Sequence, residues 1–268
     1  MRMICAMKYK WSIVNVRWLM VIGLSFVICH LSFSPLRAQN VTKAEADSAY
    51  ARQQYQQAIR DYEALLTEGV SAELYYNLGN AYYRSENITR AIINYERALL
   101  LSPGDGDIRH NLRIARQKTV DKVVPSSEFF VVTWYRALSN LMGVDSWGWM
   151  ALVTLALGLL LMLLYLFSSR VALQKVGFFG TVVMVALFLL SSLFAYQQKR
   201  MLSHRTGAII TQSAVTVKST PAANGTELFV LHEGTRVDII DDTMKDWKEV
   251  RLPDGKEGWM ETKAMEVI

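Results

Sequence analysis

AELYYNLGNAYYRSENITRAIINYERALLLSPGD, residues 72–105, decides how the first half of the chain is built. Two stripes of helical period run through it, Tyr75, Leu78, Gly79 and Tyr82 on one helix, then Ala91, Tyr95 and Ala98 on the next, with Pro103 closing the unit. The small residues Gly79 and Ala91 let the two helices approach closely, while the rings around them bury area. A step back of 33 residues finds a weaker copy in Ala46, Ala49, Ala58, Tyr62 and Leu65. Helix pairs recurring at such a period cannot bury their faces alone and must stack. Repeats are therefore expected over 39–71 and 72–105. A capping helix is expected over 106–123, with Leu112 and Ala115 on one face and Arg109, Arg113 and Arg116 on others.

Downstream, Trp147 to Phe167 and Val176 to Tyr196 are each 21 residues without a charge. At about 1.5 Å per residue each reaches roughly 30 Å, the thickness of a bilayer's hydrocarbon. Trp147, Trp149, Tyr165 and Tyr196 stand at their ends, as an aromatic belt requires. The short linker 168–175 makes them a hairpin, so the domains on either side face one compartment. Residues 124–146, with Phe129, Phe130, Trp134 and Tyr135, are expected to include a helix lying at the membrane surface.

The N-terminus has a basic region, an apolar core from Trp18 to Phe33, and Leu36-Arg37-Ala38. This is the layout of a signal peptide over 1–38, cleaved after Ala38; an uncleaved anchor is the alternative. Both soluble domains then lie outside the cytoplasm, with Arg170 and Lys175 inside. Lys199, Arg200 and Arg205 run against the positive-inside rule, and the signal outweighs them. Cys5 and Cys29 both lie in this N-terminal segment, so the mature domains would rest on packing without disulfides.

From 206 to 268 the period changes from helical to alternating. Val215 and Val217, Leu228 and Val230, Val237 and Ile239, then Val250 and Leu252 mark half-buried strands, separated by turn signals at Pro221, Asn224-Gly225, Gly234 and Asp254-Gly255. A small barrel of about five strands is expected. Trp247 and Trp259 are either its core filler, the favoured reading, or a ligand shelf.

The net charge of +5 is a membrane signature more than a nucleic-acid one. Residues 1–38 carry +5 and 126–205 carry +4, whereas 39–125 balance and 206–268 carry −4. No basic stripe exists to follow a nucleic-acid backbone. His30, His110, His204 and His232 fall in four separate segments, without metal-ligand spacing. Phosphate-binding glycine loops and nucleophile elbows are missing from the sequence, and no cofactor is expected. Asp241-Asp242 reads as a solvated turn and Asp105-Gly106-Asp107 as a helix start. A non-enzymatic binding protein is the expectation.

The Ala72–Asp105 unit resembles the tetratricopeptide repeat at all eight signature positions, with Tyr75 and Tyr95 where Trp and Phe are typical. Resemblance to that family places Glu73, Tyr76, Asn77, Asn80, Tyr83 and Arg84 on a concave groove for an extended peptide. Arg84, Arg109 and Arg113 would meet its carboxylate. The run from Ala214 to Lys218 through Gly234, Trp247 and Gly258-Trp259 is similar to the bacterial SH3 domain. The order of parts resembles the BatE family of the Bacteroides aerotolerance operon, most distinctively at Gly225 to Gly234. That resemblance implies an inner-membrane, multi-pass scaffold with periplasmic domains, working in oxidative stress beside von Willebrand A-domain membrane proteins and a MoxR-type ATPase. Its partners would be membrane proteins of the same complex or their peptide tails, and the lipid bilayer. A peptidoglycan-binding sensor or hydrolase accessory is the alternative.

Overall fold

The computed structural model describes residues 41–123, 129–203 and 205–268. The expected signal peptide, both cysteines, His30 and His204 lie outside the described residues. Five helices come first: α1 (Lys43–Ala51), α2 (Tyr55–Glu68), α3 (Ala72–Arg84), α4 (Ile88–Leu101) and α5 (Gly106–Gln117). Side-chain caps start four of them. Thr42 and Glu45 form a capping box on α1; Ser71, Asn87 and Asp105 accept backbone N–H bonds at α3, α4 and α5.

The two repeats pack as their small residues dictate. Ala46, Ala58, Tyr62, Leu78 and Ala81 form one buried cluster; Ala91, Ile92, Tyr95, Ala98, Leu112 and Ala115 form the next. Tyr75, Tyr82 and Leu65 pack at their edges. A Cβ on Gly79 would lie 2.7 Å from two ring carbons of Tyr95, so the ring occupies the space that glycine leaves. Pro103 follows α4, where its ring permits no further turn.

Helix α6 (Phe130–Ser139) leads into a hairpin of α7 (Val144–Phe167) and α8 (Val171–Ser203), both long and apolar enough to cross a membrane. The second helix is longer than the expected 176–196, and the linker shrinks from 168–175 to Ser168–Arg170. The absence of charge marks the stretch suited to hydrocarbon; helix geometry continues through Lys175 and Lys199 because nothing there breaks it. Trp147, Ala151, Thr154 and Gly158 are buried or half-buried along one face of α7, facing α8. Close approach is enforced at Gly177, where a Cβ would meet the Tyr165 backbone nitrogen at 2.7 Å. The outward faces are exposed leucine, valine and phenylalanine.

The C-terminal barrel comprises β1 (Gly207–Ile210), β2 (Ala214–Lys218), β3 (Glu227–His232), β4 (Arg236–Asp241), β5 (Trp247–Arg251), β6 (Glu257–Glu261) and β7 (Met265–Val267). These seven antiparallel strands run in the order β3-β2-β6-β5-β4-β1-β7, two more than expected. The third strand also faces the other way. Val217 pairs with Phe229 and Val215 with Leu231 on the core side, leaving Leu228 48% and Val230 49% exposed. Register is regular from Ala214–His232 to Val217–Phe229, so the inward Val215 and Val217 bring Leu231 and Phe229 inward with them, and one residue of slip would exchange the faces.

Candidate functional site

A polar ladder links the helices of the two repeats. The Tyr62 hydroxyl donates to Asp47 Oδ1 at 2.6 Å, and one repeat later the Tyr95 hydroxyl donates to Asn80 Oδ1 at 2.7 Å. Between repeats, Asn77 Nδ2 donates to Asp47 Oδ1 at 3.4 Å, while Asn111 Nδ2 donates to Asn80 Oδ1 at 3.0 Å and to the Tyr76 hydroxyl at 2.9 Å. Burial raises the Tyr62 and Tyr95 hydroxyls far above the usual phenol range, with Asp47 adding to the effect at Tyr62. Tyr62 and Tyr95 are thus core rings whose one polar atom ties α2 to α1 and α4 to α3.

The ladder changes the roles expected of the groove residues. Asn80 accepts two hydrogen bonds inside the fold, so its truncation leaves the buried Tyr95 hydroxyl unpaired. Glu73 pairs with Lys43 at 2.8 Å, and Lys118 Nζ lies 4.4 Å from the centre of the Tyr83 ring, while Arg84 is exposed. Arg109 and Arg113 do not join this face. They are out of phase with Asn111 on α5, and Arg109 donates to the Gly104 and Asp105 carbonyls. Both line a second cleft with Leu99, Leu112, Arg116 and Lys122.

Tryptophans 247 and 259 are half-buried and absent from the barrel's core cluster, where Val217, Val250 and Met260 are completely enclosed. The favoured core-filler reading is therefore corrected. Trp259 pairs with Lys218 and Glu249, and Trp247 with Glu261, so the two rings are diagonal neighbours on the face opposite the core. Lys218 Nζ stands 6.0 Å from the Trp247 ring centre. Alternation along β5 and β6 gives this outcome: Val250 and Met260 take the inward positions, and the tryptophans take the others.

The barrel and the helices are joined through charge and apolar contact. Ile209 of β1 and Ile268 pack into the helical cluster around α4. Glu96 is 3% exposed and accepts from Arg116 and from Arg236 Nη1, the latter at 3.1 Å. Glu266 pairs with Arg90 at 2.7 Å and with Arg97 at 2.8 Å. Gly234, at φ +82°, turns the chain where a Cβ would meet Thr119 at 2.7 Å and Ile92 at 3.3 Å. Beside the capping helix α5, the barrel covers a further part of α4 through Ile209 and Ile268.

Asp121 is the pin of this junction. It accepts from the His232 backbone N–H and the Thr235 hydroxyl, both at 2.7 Å, and lies 2.8 Å from His232 Nδ1. Burial would push its carboxyl up, but those three contacts outweigh it and hold the group below the usual carboxylate range. A depressed carboxylate contributes stability that is present above its unfolded value, about pH 4, and is lost as the pH falls through the folded value. Asp121→Ala should cost about 2 kcal/mol at pH 7 by denaturant titration of the full chain, with the gap to wild type closing as the pH falls below the usual carboxylate range. A gap independent of pH would remove the carboxylate from this account.

Residues 43–106 match the family model of the tetratricopeptide repeat, and residues 213–266 match that of the bacterial SH3 domain. This chain joins a tetratricopeptide-repeat domain to a bacterial SH3 domain. No curated protein matches it. Among the described residues, no group of three His, Cys, Asp or Glu side chains is placed to hold a metal ion. The Asp105 carboxylate caps α5 through the Asp107 and Ile108 amides, and Asp241 accepts from the Thr243 amide in a turn.

Proposed function

We propose that this chain is a membrane-anchored, non-enzymatic scaffold of a bacterial envelope complex, with its hairpin across the inner membrane and both interaction domains in the periplasm. The observation that carries this reading is the contact between helical domain and barrel. Domains that share Glu96 and Glu266 as ion-pair centres and Asp121 as a hydrogen-bond acceptor must emerge on one side of the hairpin that separates them in sequence. Protease added to intact spheroplasts should remove the barrel; complete protection would place both domains in the cytoplasm. Resemblance to the aerotolerance family supports von Willebrand A-domain proteins and a MoxR-type ATPase as neighbours.

The repeat groove would hold an extended peptide or the tail of a membrane neighbour. With Asn80 committed to Tyr95 and Tyr83 packed at the edge of the helical cluster, the residues that can engage it without cost to the core are Glu73 and Arg84, which sit at the ends of α3. Glu73→Ala with Arg84→Ala should leave melting nearly unchanged and reduce cross-linked partner capture from intact membranes by about 2 kcal/mol, or roughly thirtyfold. Undiminished capture by the folded variant would move the contact elsewhere.

A second reading, cell-wall binding, is favoured by the outward tryptophan pair. Two half-buried rings beside a lysine offer flat apolar area and a donor, which suit a sugar face with its hydroxyl and amide groups. Trp247→Ala with Trp259→Ala should leave the barrel folded, since its core cluster contains neither, and cut sedimentation of the full chain with isolated peptidoglycan by about tenfold. Equal sedimentation of variant and wild type would leave protein capture as the barrel's role.

A further inference from the structure

A cleft of about 1040 Å³ opens where α5's end, the β4 and β5 regions of the barrel, and the tops of α6 and α8 meet. Its charged lining is mostly basic. Arg116, Lys122, Arg236 and Arg251 face it, against the acids Asp121 and Asp238; Arg116 and Arg236 are shared with Glu96, and Arg251 with Glu257, each arginine keeping at least a third of its side-chain surface exposed. A smaller cavity of about 180 Å³ shares Asn140, Met201 and Arg236 with it as walls, and adds Glu96, Arg109 and Gln198.

Gln198 gives this place a chemical demand. It is 5% exposed, and its Nε2 donates to the carbonyls of Ser139 and Met142, which fixes the orientation of the amide. Its Oε1 is buried and has no hydrogen-bond partner among the described residues. A buried acceptor of this kind calls for a donor. One turn below, Phe194 packs with Trp147 and Tyr135 at the start of the apolar surface, while Met201 one turn above reaches the cleft. The site therefore combines cations, an unanswered acceptor and direct continuity with a surface suited to acyl chains.

We propose that this cleft binds the headgroup of an anionic phospholipid that carries both a phosphate and a hydroxyl. Arginine and lysine take the phosphate through charge-assisted bonds, and the headgroup hydroxyl donates to Gln198 Oε1. The net positive lining disfavours a headgroup ammonium in the same place. The acyl chains run down the exposed apolar faces of α6 and α8. The lipid would fill the junction of barrel, repeats and hairpin, so headgroup composition would bear on how firmly they hold together. This inference rests on the reading of the hairpin as a membrane anchor.

Native mass spectrometry of the full chain released from detergent tests it, with phosphatidylglycerol, phosphatidic acid and phosphatidylcholine as probes. Phosphatidylglycerol should be retained about tenfold over phosphatidylcholine, with phosphatidic acid between them. Lys122→Gln with Arg251→Gln, which leaves the Glu96 and Asp121 contacts in place, should lower phosphatidylglycerol retention about tenfold with unchanged circular dichroism. Free glycerol phosphate at millimolar concentration should not displace the lipid; displacement would assign the cleft to a soluble phosphate and overturn the proposal. So would equal retention of the three lipids, retention unaffected in the folded variant, or a preference for an acidic peptide over the lipid. Alkaline carbonate separates this from the anchor reading: a chain stripped from membranes by carbonate defeats the anchor, whereas one that stays and shows no lipid preference defeats only the cleft.

Discussion

Replacing Tyr95 by alanine should lower the stability of the helical domain by about 4 kcal/mol, because a ring 1% exposed is lost from the centre of its cluster. The cavity cannot close easily. Gly79 backs the ring from α3, and its lack of a side chain leaves nothing there to collapse inward. Tyr76, whose ring centre lies 6.0 Å away, would lose its aromatic neighbour, and Asn80 would lose one of two donors. Tyr95→Phe isolates the polar share: it keeps the packing and removes one hydrogen bond, for about 1 kcal/mol. Denaturant titration of the full chain in detergent, followed at a far-ultraviolet helical band, measures both. Equal losses from the two variants would mean that the ladder, and not burial, makes this residue matter.

Glu96→Ala should cost about 3 kcal/mol and loosen the barrel from the repeats. The carboxylate is nearly inaccessible, while Arg116 and Arg236 keep 44% and 39% of their side-chain surface, so solvent screens the stranded cations and holds the loss at the low end for a buried pair. Ile209 and Ile268 still pack on α4, so the interface should weaken without separating completely. Hydrogen exchange distinguishes this from general unfolding. Amides of β1 and β7 should exchange faster in the variant, while those of α3 keep their wild-type protection. Uniform acceleration throughout the chain would show that Glu96 serves the helical core alone.

Much of this architecture is written in local periods. Small residues at Gly79 and Ala91 and rings at Tyr75, Tyr82 and Tyr95 recur as paired helices require, and two uncharged runs of 21 residues announce the hairpin. Alternation from Val215 onward announces the strands, because a side chain's face follows from its position within a strand or helix. Even the ladder left a trace: Asp47 and Tyr62 return as Asn80 and Tyr95 at the repeat spacing, a polar echo easily passed over beside the apolar one.

Periodicity says which face is apolar and is silent about what covers it. Asp121 reaches His232 across 111 positions and Arg90 reaches Glu266 across 176, separations at which no local pattern links the partners. Glu96 lies on the outer side of a terminal repeat, where sequence reasoning expects solvent; only the barrel's arrival buries it and makes two arginines its partners. The same holds for Trp247 and Trp259. Their size argued for the interior, but the strand register gave the interior to Val250 and Met260. The sequence by itself determined the modules and their order, since each is stabilised by contacts among near neighbours. The tertiary structure alone decided how they join and which polar groups remain to meet a ligand, since those depend on surfaces brought together only when the whole chain has folded.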